Sequence, residues 1–512
     1  MADPMMDFGD SNPFGEPITR ARLTEIENSY PGGFWNATDQ LKRIAYEAAR
    51  KEVSPWGLLA LMQEHRATHV PPNVVLVGKD GRPSITLVGG MSLNGFVGLV
   101  SPPGGGKSAT FQLATELLPP ASLPVPDGTG QGMVRSLAKT ETRTKDEENK
   151  PLPRPIRLTV FHRHDMMVHA PEVKSLNAEF LRDGSKTDTI MRSLWVGETV
   201  GMNNADTERR VVIPPNMVRV CGGWGVQPIN AIAILAQAPD GTPQRFVWAP
   251  AAEYRMPYPS RTPAPQAVTF PMPVFTQPGN TAFGSTDMPL EIEDSSYDQL
   301  PQPIWVMWSP LMHTEVADMR REIAALGDRE PYARRTPEQH AHEQMLIMRS
   351  HLVLTTIKQT TKMGWLHGRS DPNDLDWELA KIQMLVSTGE LSGVWQECSQ
   401  AAKRISELKG RSRAYEFAAQ NAESDTLNFG LTIEVSQRVF AELCKAPRRP
   451  RDIKRFFWSK AKKDLVSPAL EMLDEQKRVE FDGNMWWAMI DGVRVHMDDA
   501  AEEPSTKTDD DE

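Results

Sequence analysis

The 512-residue sequence has little cysteine and no long apolar run. Its three cysteines, Cys221, Cys398 and Cys444, form no C-x-x-C pair, so neither a disulfide framework nor a cysteine zinc site is predicted. No apolar stretch approaches the roughly 18 residues of a membrane-spanning helix. The first residues are acidic and interrupted by proline and glycine, unlike a signal peptide. We therefore expect a protein of the reducing cytoplasm with no membrane partner.

The charge is negative on average but is unevenly distributed. Hydrophobic residues make up 39% of the chain, and the formal net charge of −10 by itself argues against a nucleic-acid partner. Residues 498–512, however, hold eight acidic residues and one basic residue, whereas residues 445–463 hold nine basic residues and one acidic residue. The average therefore does not exclude DNA, and we expect the acidic tail to compete with DNA for the basic segment.

Changes in composition divide the chain into six predicted segments. They are a disordered lead-in (1–33), a helical and β-hairpin segment (34–90), an α/β core with a proline-rich extension (91–310), a helical segment (311–425), a winged-helix-like module (431–495) and an acidic tail (496–512). The hairpin is predicted from an Asp-Gly turn at 80–81. The module combines a helix-turn-helix pattern with a β-hairpin wing.

The core has the alternation of short apolar runs and helical stretches that is typical of an α/β fold with a mostly parallel sheet. Strands are predicted at 96–100, 156–161, 218–220 and 232–235. The stretch 119–155 is charged and flanked by prolines, and it is expected to include a mobile loop. Helices are predicted at 311–326, 337–367 and 376–409, and in the module at 431–444, 451–458 and 467–477.

A glycine-rich turn between an apolar strand and an amphipathic helix is the sharpest motif. Consecutive glycine N–H groups can curl around a phosphate, and the start of the helix adds partial positive charge. In such a P-loop, Lys107 reaches the β- and γ-phosphates and the Ser108 hydroxyl binds Mg²⁺. Ser101 stands where the full G-x-x-x-x-G-K-S pattern has its first glycine. The motif predicts an ATP and Mg²⁺ site formed by Gly104, Gly105, Gly106, Lys107, Ser108 and Ala109.

Hydrolysis also requires a carboxylate that holds Mg²⁺ or orients water. Asp165 follows the predicted strand 156–161, and Glu172 follows a second apolar run. We favour Glu172, also as a metal ligand, and keep Asp165 as the alternative. Gln227, at the end of a predicted strand, is expected to position water, and Arg245, after a turn, is the candidate arginine finger.

Histidines provide a further hypothesis. His162 and His164 are two residues apart, with Asp165 next and His169 nearby, which is compatible with a metal hydrolase, although no further His/Cys set supports it. His65 and His69 are four residues apart but lack the glutamate of an H-E-x-x-H motif, so no zinc is assigned to them.

Several short segments together resemble a known family. They are S-L-N (92–94), the loop at 104–108, Glu172 with Leu176 and Ala178, L-W-V-G-E (194–198), G-V-Q-P (225–228), the segment 241–248, L-H-G-R (366–369) and D-W-E-L-A (376–380). Over about residues 34–400 the chain resembles the P-loop helicase-like ATPases of actinobacterial phages and mobile elements, often the helicase half of primase–helicase proteins. The resemblance implies a RecA- or AAA-like ATPase core, a homo-oligomeric ring, a helical lid and a bacterial host cytoplasm. No primase half is evident, so a primase would be a separate partner.

The basic segment 445–463 has the charge expected for phosphate contact. The aromatic residues within it, Phe456, Phe457 and Trp458, are expected to lie in a small core. The predicted DNA contacts are Arg448, Arg449, Arg451, Lys454, Arg455, Lys460, Lys462 and Lys463.

Two functions follow from these motifs. The favoured one is a Mg²⁺- and ATP-dependent, helicase-like motor on single-stranded or forked DNA in phage or mobile-element replication. The alternative is a DNA-binding regulator whose oligomeric state is switched by nucleotide with little turnover. Strand unwinding is implied by the resemblance alone.

Overall fold

A computed structural model describes most of the chain. The described residues are 12–76, 90–146, 148–182, 184–202, 210–252, 265, 268–275, 288–293, 300–301, 303–326 and 337–495. At residues 239, 337–345, 347 and 405–429 the description covers the backbone alone. The predicted turn at 80–81, the acidic tail and residues 1–11 of the predicted lead-in lie outside these residues. The rest of the lead-in is not a disordered segment, because Arg20–Asn28 form a helix whose Leu23 and Ile26 are buried. The chain divides into two compact units, Met1–Lys403 and Arg404–Glu512.

The first unit contains eleven described helices and twelve described strands. Its helices are α1 (Arg20–Asn28), α2 (Asp39–Arg50), α3 (Pro55–Thr68), α4 (Lys107–Leu117), α5 (Gly130–Leu137), α6 (Lys174–Leu181), α7 (Thr187–Val196), α8 (Ile232–Leu235), α9 (Pro310–Leu326), α10 (Pro337–Leu366) and α11 (Asp374–Leu443), of which residues 404–443 belong to the second unit. Its strands are β1 (Val74–Leu76), β2 (Met91–Ser92), β3 (Gly95–Val100), β4 (Ala138–Lys145), β5 (Pro151–Phe161), β6 (Asp165–Ala170), β7 (Val200–Met202), β8 (Val211–Ile213), β9 (Arg219–Val226), β10 (Phe246–Pro250), β11 (Glu291–Glu293) and β12 (Ile304–Val306).

A four-stranded parallel sheet with the order β10-β3-β9-β6 forms the centre of this unit. All residues of β3 and β9 are buried, as expected for a sheet covered on both faces. Helix α3 is buried along its whole length and packs on the sheet. Gly223 of β9 leaves room for this packing, because a Cβ there would lie 2.6 Å from Leu61 of α3 and 2.8 Å from Phe111 of α4. The predicted α/β class with a parallel sheet is confirmed.

Two predicted strands of that sheet are wrong. The run 156–161 belongs to β5, which pairs antiparallel with β4 and β11 in a separate sheet. The run 232–235 is helix α8, and a run of four apolar residues does not distinguish a strand from a helix. Strands β6 and β10 take their places. The stretch 119–155 contains α5 and β4, with many exposed polar side chains in β4, as one-sided antiparallel sheets have.

Long helices follow the sheet. The predictions at 311–326 and 337–367 are confirmed by α9 and α10, but the third helix continues for 70 residues as α11 instead of ending at 409. Lys362 of α10 donates to both carboxylate oxygens of Glu64 in α3, at 2.6 and 2.7 Å, and neither side chain is exposed. This ion pair links α10 to α3. Within the described part of the chain, we find no helix with both the length and the apolarity to cross a membrane.

The second unit has its own core beneath a small antiparallel sheet. After the last turns of α11 come α12 (Pro450–Ile453), α13 (Lys460–Asp464), α14 (Val466–Glu475), β13 (Val479–Phe481), β14 (Trp486–Ile490) and β15 (Val493–Val495). The three strands pair in sequence order, so the predicted hairpin is part of a three-stranded sheet. The helix predicted at 451–458 is shorter: α12 ends at Ile453, a 3-10 turn follows, and Phe457 is extended with φ −114° and ψ 135°.

Candidate functional site

A glycine-rich loop, residues 101–106, connects β3 to α4 at the carboxyl edge of the parallel sheet. Gly104 and Gly106 have φ values of 77° and 83°, which glycine adopts without a steric penalty. Helix α4 begins at Lys107, directly after the loop. The N–H groups of the first helical turn, at Lys107, Ser108 and Ala109, have no acceptor within the helix. Amides without an acceptor in the helix, together with the helix N-terminus, suit an anion.

The side chain of Lys107 lies against its own loop. Its Nζ donates to the Ser101 carbonyl oxygen at 3.0 Å, to Ser101 Oγ at 3.0 Å and to the Pro102 carbonyl oxygen at 3.1 Å. Burial lowers the pKa of Lys107, and the negative charge of Glu172 opposes this shift. Ser101 therefore has a role at the position where the pattern has glycine. Gly105 accommodates it, because a Cβ at 105 would lie 2.7 Å from the Ser101 side chain.

The two candidate carboxylates lie at opposite edges of the sheet. Glu172 follows β6 and Pro171, at the carboxyl edge, and its side chain is 55% exposed with one oxygen 3.6 Å from Lys174 Nζ. Asp165 is the first residue of β6, aligned with Arg219 at the start of β9, and accepts a hydrogen bond from Ser122. Six residues of strand span about 16 Å. This placement corrects the Asp165 alternative, because carboxyl ends of parallel strands share one edge and Asp165 is at the other.

The end of β9 lies between the loop and Glu172. The Val226 carbonyl oxygen accepts from the Ser101 N–H at 3.0 Å, and Gln227 follows at once, its Oε1 accepting from Asn230 Nδ2 at 3.1 Å. Since the strand order is β3-β9-β6, Gln227 is positioned between the glycine-rich loop and Glu172.

Gly225 is a site residue to which sequence reasoning gave no role. A Cβ at this position would lie 2.0 Å from the Pro171 carbonyl oxygen and 2.9 Å from Lys107 Cδ. The Gly225 carbonyl oxygen also accepts from the Val173 N–H at 2.9 Å. Only glycine lets the end of β6 approach Lys107 so closely. The available signal was a glycine inside a strand, which often marks such an approach.

Arg245 lies at the amino edge, in a 3-10 turn before β10. Its guanidinium donates to the Asp240 carbonyl oxygen at 2.9 Å and lies 5.4 Å from the centre of the Trp195 ring, and burial lowers its pKa to about 10. The five residues of β10 separate it from the edge that carries the loop. The prediction of Arg245 as an arginine finger is therefore wrong for the loop of its own chain. A role of Arg245 across a subunit boundary stays a prediction.

The structure pairs two histidines that neither of the pairs considered in the sequence analysis brings together. His65 Nε2 lies 2.9 Å from His169 Nε2, and burial lowers the pKa of His65 to about 3 and that of His169 to about 4, so both rings are neutral. His164 is buried, with Nδ1 2.9 Å from the Met217 carbonyl oxygen. In the part of the chain that the structure describes, no three His, Cys, Asp or Glu side chains are grouped so as to hold a metal ion. His162 and His164 thus have no third ligand among those residues.

A cavity of about 200 Å³ adjoins the loop at the same edge of the sheet. Glu390 of α11 faces it, and burial, with the charge of Glu397, raises the pKa of Glu390 to about 8. Ser101 and Pro102 of the loop, Pro228 after β9 and Arg20 of α1 also line the cavity. The loop is thus bordered by a carboxyl that is largely protonated at neutral pH.

The predicted DNA contacts differ in exposure. Five of them are exposed, namely Arg449, Arg451, Lys454, Arg455 and Lys460. Arg455 pairs with Asp452 at 3.3 Å, and Lys462, partly buried like Lys463, pairs with Glu434 at 2.5 Å. Arg448 is partly buried too; its backbone bonds to Trp486 of β14 and its guanidinium lies 5.8 Å from the Phe456 ring. Arg448 therefore has a packing role in the second unit.

The aromatic residues of the basic segment do not all lie in the core. Phe457 is 5% exposed and Phe456 packs against the same cluster, as expected, but Trp458 is 98% exposed. The expectation is therefore wrong for Trp458.

The fold and the site define an α/β protein in which a glycine-rich loop leaves an interior strand of a parallel sheet and opens a helix. The sequence matches no protein-family model, and no curated protein matches it. The resemblance to helicase-like ATPases rests on the motifs quoted above.

Proposed function

We propose that this chain is an ATP- and Mg²⁺-dependent, DNA-associated P-loop motor, a helicase-like ATPase of phage or mobile-element DNA replication. The observation that carries the proposal is the approach of two segments at the carboxyl edge. Lys107 is the first residue of the helix after the glycine-rich loop, and Glu172 follows β6 close enough to Lys107 for its charge to affect the pKa of that lysine. Gly225 makes that approach sterically allowed.

The residues present fit a nucleotide with its metal. The Lys107 ammonium would exchange its three uncharged loop acceptors for anionic phosphate oxygens, so that Coulomb attraction between opposite charges adds to the hydrogen bonds. Ser108 is exposed and could offer its hydroxyl to Mg²⁺. Glu172 would orient a water or hold the metal through water, and Gln227 would contact the same water from the end of β9.

The second unit supports the DNA part of the proposal. The five exposed residues among the predicted DNA contacts are all arginine or lysine and give the segment 445–463 a positive surface. The helices followed by a three-stranded sheet are compatible with a winged-helix domain. A homo-oligomeric ring, a lid formed by α9–α11 and a separate primase come from the resemblance and are parts of the same proposal.

ATP turnover, measured with and without single-stranded DNA, tests the motor. We expect DNA to stimulate hydrolysis by the wild type, and Lys107→Ala to reduce it by about 100-fold or more, as when a preorganised donor is removed. Lys139→Ala is the control, because Lys139 is an exposed lysine of β4, away from the loop. A rate of ATP hydrolysis that is the same with and without DNA, or that is unchanged in Lys107→Ala, contradicts the motor.

The ion pair between Glu172 and Lys174 favours a second candidate, a DNA-binding regulator that nucleotide switches with little turnover. In that resting arrangement the carboxylate that should orient water is engaged elsewhere. The regulator predicts ATP-dependent assembly in sedimentation experiments at negligible turnover. An assembly state that is the same with and without nucleotide excludes it.

A further inference from the structure

Trp458 is 98% exposed, although tryptophan is the side chain with most apolar surface to bury. The neighbouring Phe457 is 5% exposed and packs in the core of the second unit. Phe457 is extended, and successive side chains of an extended backbone point to opposite sides. Burial of Phe457 therefore directs Trp458 outward.

The indole is held at a defined place. It lies in a short link between the 3-10 turn Lys454–Phe456 and α13, and Phe457 anchors the link from below. On the other side, Ser459 caps α13 by accepting from the Lys462 N–H at 3.3 Å. A contact made by Trp458 would thus cost little backbone ordering.

The residues around the indole are cationic. Lys454 and Arg455 precede it and Lys460 follows it, and all three are exposed. The segment 445–463 has a net charge of +8, so a second copy of the same surface would be repelled, while a polyanion would be attracted. An exposed aromatic ring among cations is the combination that binds single-stranded nucleic acid, with bases stacked on the ring and phosphates on the charges.

We propose that Trp458 stacks on an unpaired base of single-stranded DNA while the surrounding lysines and arginines hold the phosphates. The proposal rests on the DNA-binding part of the proposed function and makes it more specific, because the bases of a duplex are already stacked on each other. It assigns the exposed link 457–459 as the place where the module meets an unpaired strand.

Binding of the full chain to fluorescent oligothymidylate, measured by anisotropy, tests the proposal. We expect Trp458→Ala to weaken binding by about 5- to 100-fold, and Trp458→Phe to retain most of the affinity, because a phenyl ring also stacks. On an abasic oligonucleotide of the same length, wild type and Trp458→Ala should bind equally. The slope of log affinity against log salt concentration should stay unchanged in Trp458→Ala. In Lys454→Ala the magnitude of this negative slope should fall by about 0.7, because one phosphate contact is lost.

Leu123→Ala is the matched control, because Leu123 is 88% exposed, apolar and outside the basic segment; its affinity should equal that of the wild type. If the wild type binds oligothymidylate and Trp458→Ala binds it equally well, the stacking proposal fails while DNA binding stands. If the wild type does not bind oligothymidylate, the stacking proposal and the DNA-binding part of the proposed function both fail. If Trp458→Ala loses as much affinity for duplex DNA as for single-stranded DNA, the indole inserts into a duplex. If Trp458→Ala changes the sedimentation coefficient but not the DNA affinity, Trp458 is a subunit contact. Either result overturns the proposal.

Discussion

The buried carboxyl beside the glycine-rich loop makes the stability of the protein depend on pH. Burial raises the pKa of Glu390 from the ordinary value of 4.5 to about 8. Between these two values the folded chain holds a proton at Glu390 that the unfolded chain has released, so this group makes the protein less stable as the pH rises. Above about pH 8 both states are ionised at this site and the loss stops growing.

Replacement of Glu390 by glutamine, which does not ionise, removes this loss of folding stability with rising pH. Each pH unit within the window is worth about 1.4 kcal/mol, so from pH 5.5 to 7.5 the stability advantage of Glu390→Gln should grow by up to about 3 kcal/mol. Glu390 retains some contact with solvent through the cavity, and screening there makes about 2 kcal/mol the better expectation.

Other buried groups titrate in the opposite sense. Burial lowers the pKa values of His65, His169 and Lys358, and each of them makes the folded chain more stable as the pH rises. These contributions are present in both wild type and Glu390→Gln. The difference between the two proteins therefore isolates Glu390, whereas the pH profile of the wild type alone does not.

Urea unfolding followed by tryptophan fluorescence at the two pH values measures this difference. Glu116→Gln is the control, because Glu116 is an exposed carboxylate at the end of α4, and its effect should be the same at both pH values. An advantage of Glu390→Gln that does not change with pH would refute the reasoning, because it would show that Glu390 is ionised in the folded protein.

Three further predictions concern the site, the core and the tail. Gly225→Ala pushes the end of β6 away from Lys107 and is expected to lower ATP turnover about 100-fold, as misplacement by about 1 Å can, whereas Gly128→Ala, with no atom within 4 Å of the added Cβ, should leave turnover unchanged. Glu64→Gln leaves Lys362 buried without its partner, so urea unfolding should show a loss of about 3–5 kcal/mol; a loss below about 1 kcal/mol would contradict a charged pair. Truncation after Met497 removes eight acidic residues and should tighten DNA binding in anisotropy titrations at low salt, and equal affinity would argue against competition by the tail.

The α/β class and the loop were predictable because their signals are local. An apolar strand, three glycines and a helix start occupy consecutive residues, and the structure has β3, the loop and α4 there. The runs 156–161 and 232–235 were misassigned because pairing partners and element type depend on residues far along the chain. Apolarity alone does not tell a parallel strand from an antiparallel one or from a short helix.

Site residues were harder to predict, because an error of a few residues in a strand boundary moves a side chain to the other edge of the sheet. Asp165 follows one apolar run and begins the next strand, so it changes from a strand-end carboxylate to a strand-start one. Arg245 likewise precedes β10 and does not follow it. The exposure of Trp458 follows from the extended backbone at Phe457, which points the two side chains in opposite directions. Which of the two is buried is decided by packing and is not visible in the sequence.

The departure of the loop from the P-loop pattern has a physical explanation in Ser101. Its carbonyl oxygen and hydroxyl both accept from Lys107, and its side chain fills the space that a Cβ at 105 would need. A serine at 101 therefore requires a glycine at 105, whereas Gly104 and Gly106 supply the positive φ values of the turn, so that each of the three glycines has its own structural reason. The same contacts give Lys107 three neutral acceptors in the resting loop. Because an anionic ligand adds Coulomb attraction that these uncharged acceptors lack, the loop should release the lysine to a phosphate and retain it against a neutral ligand.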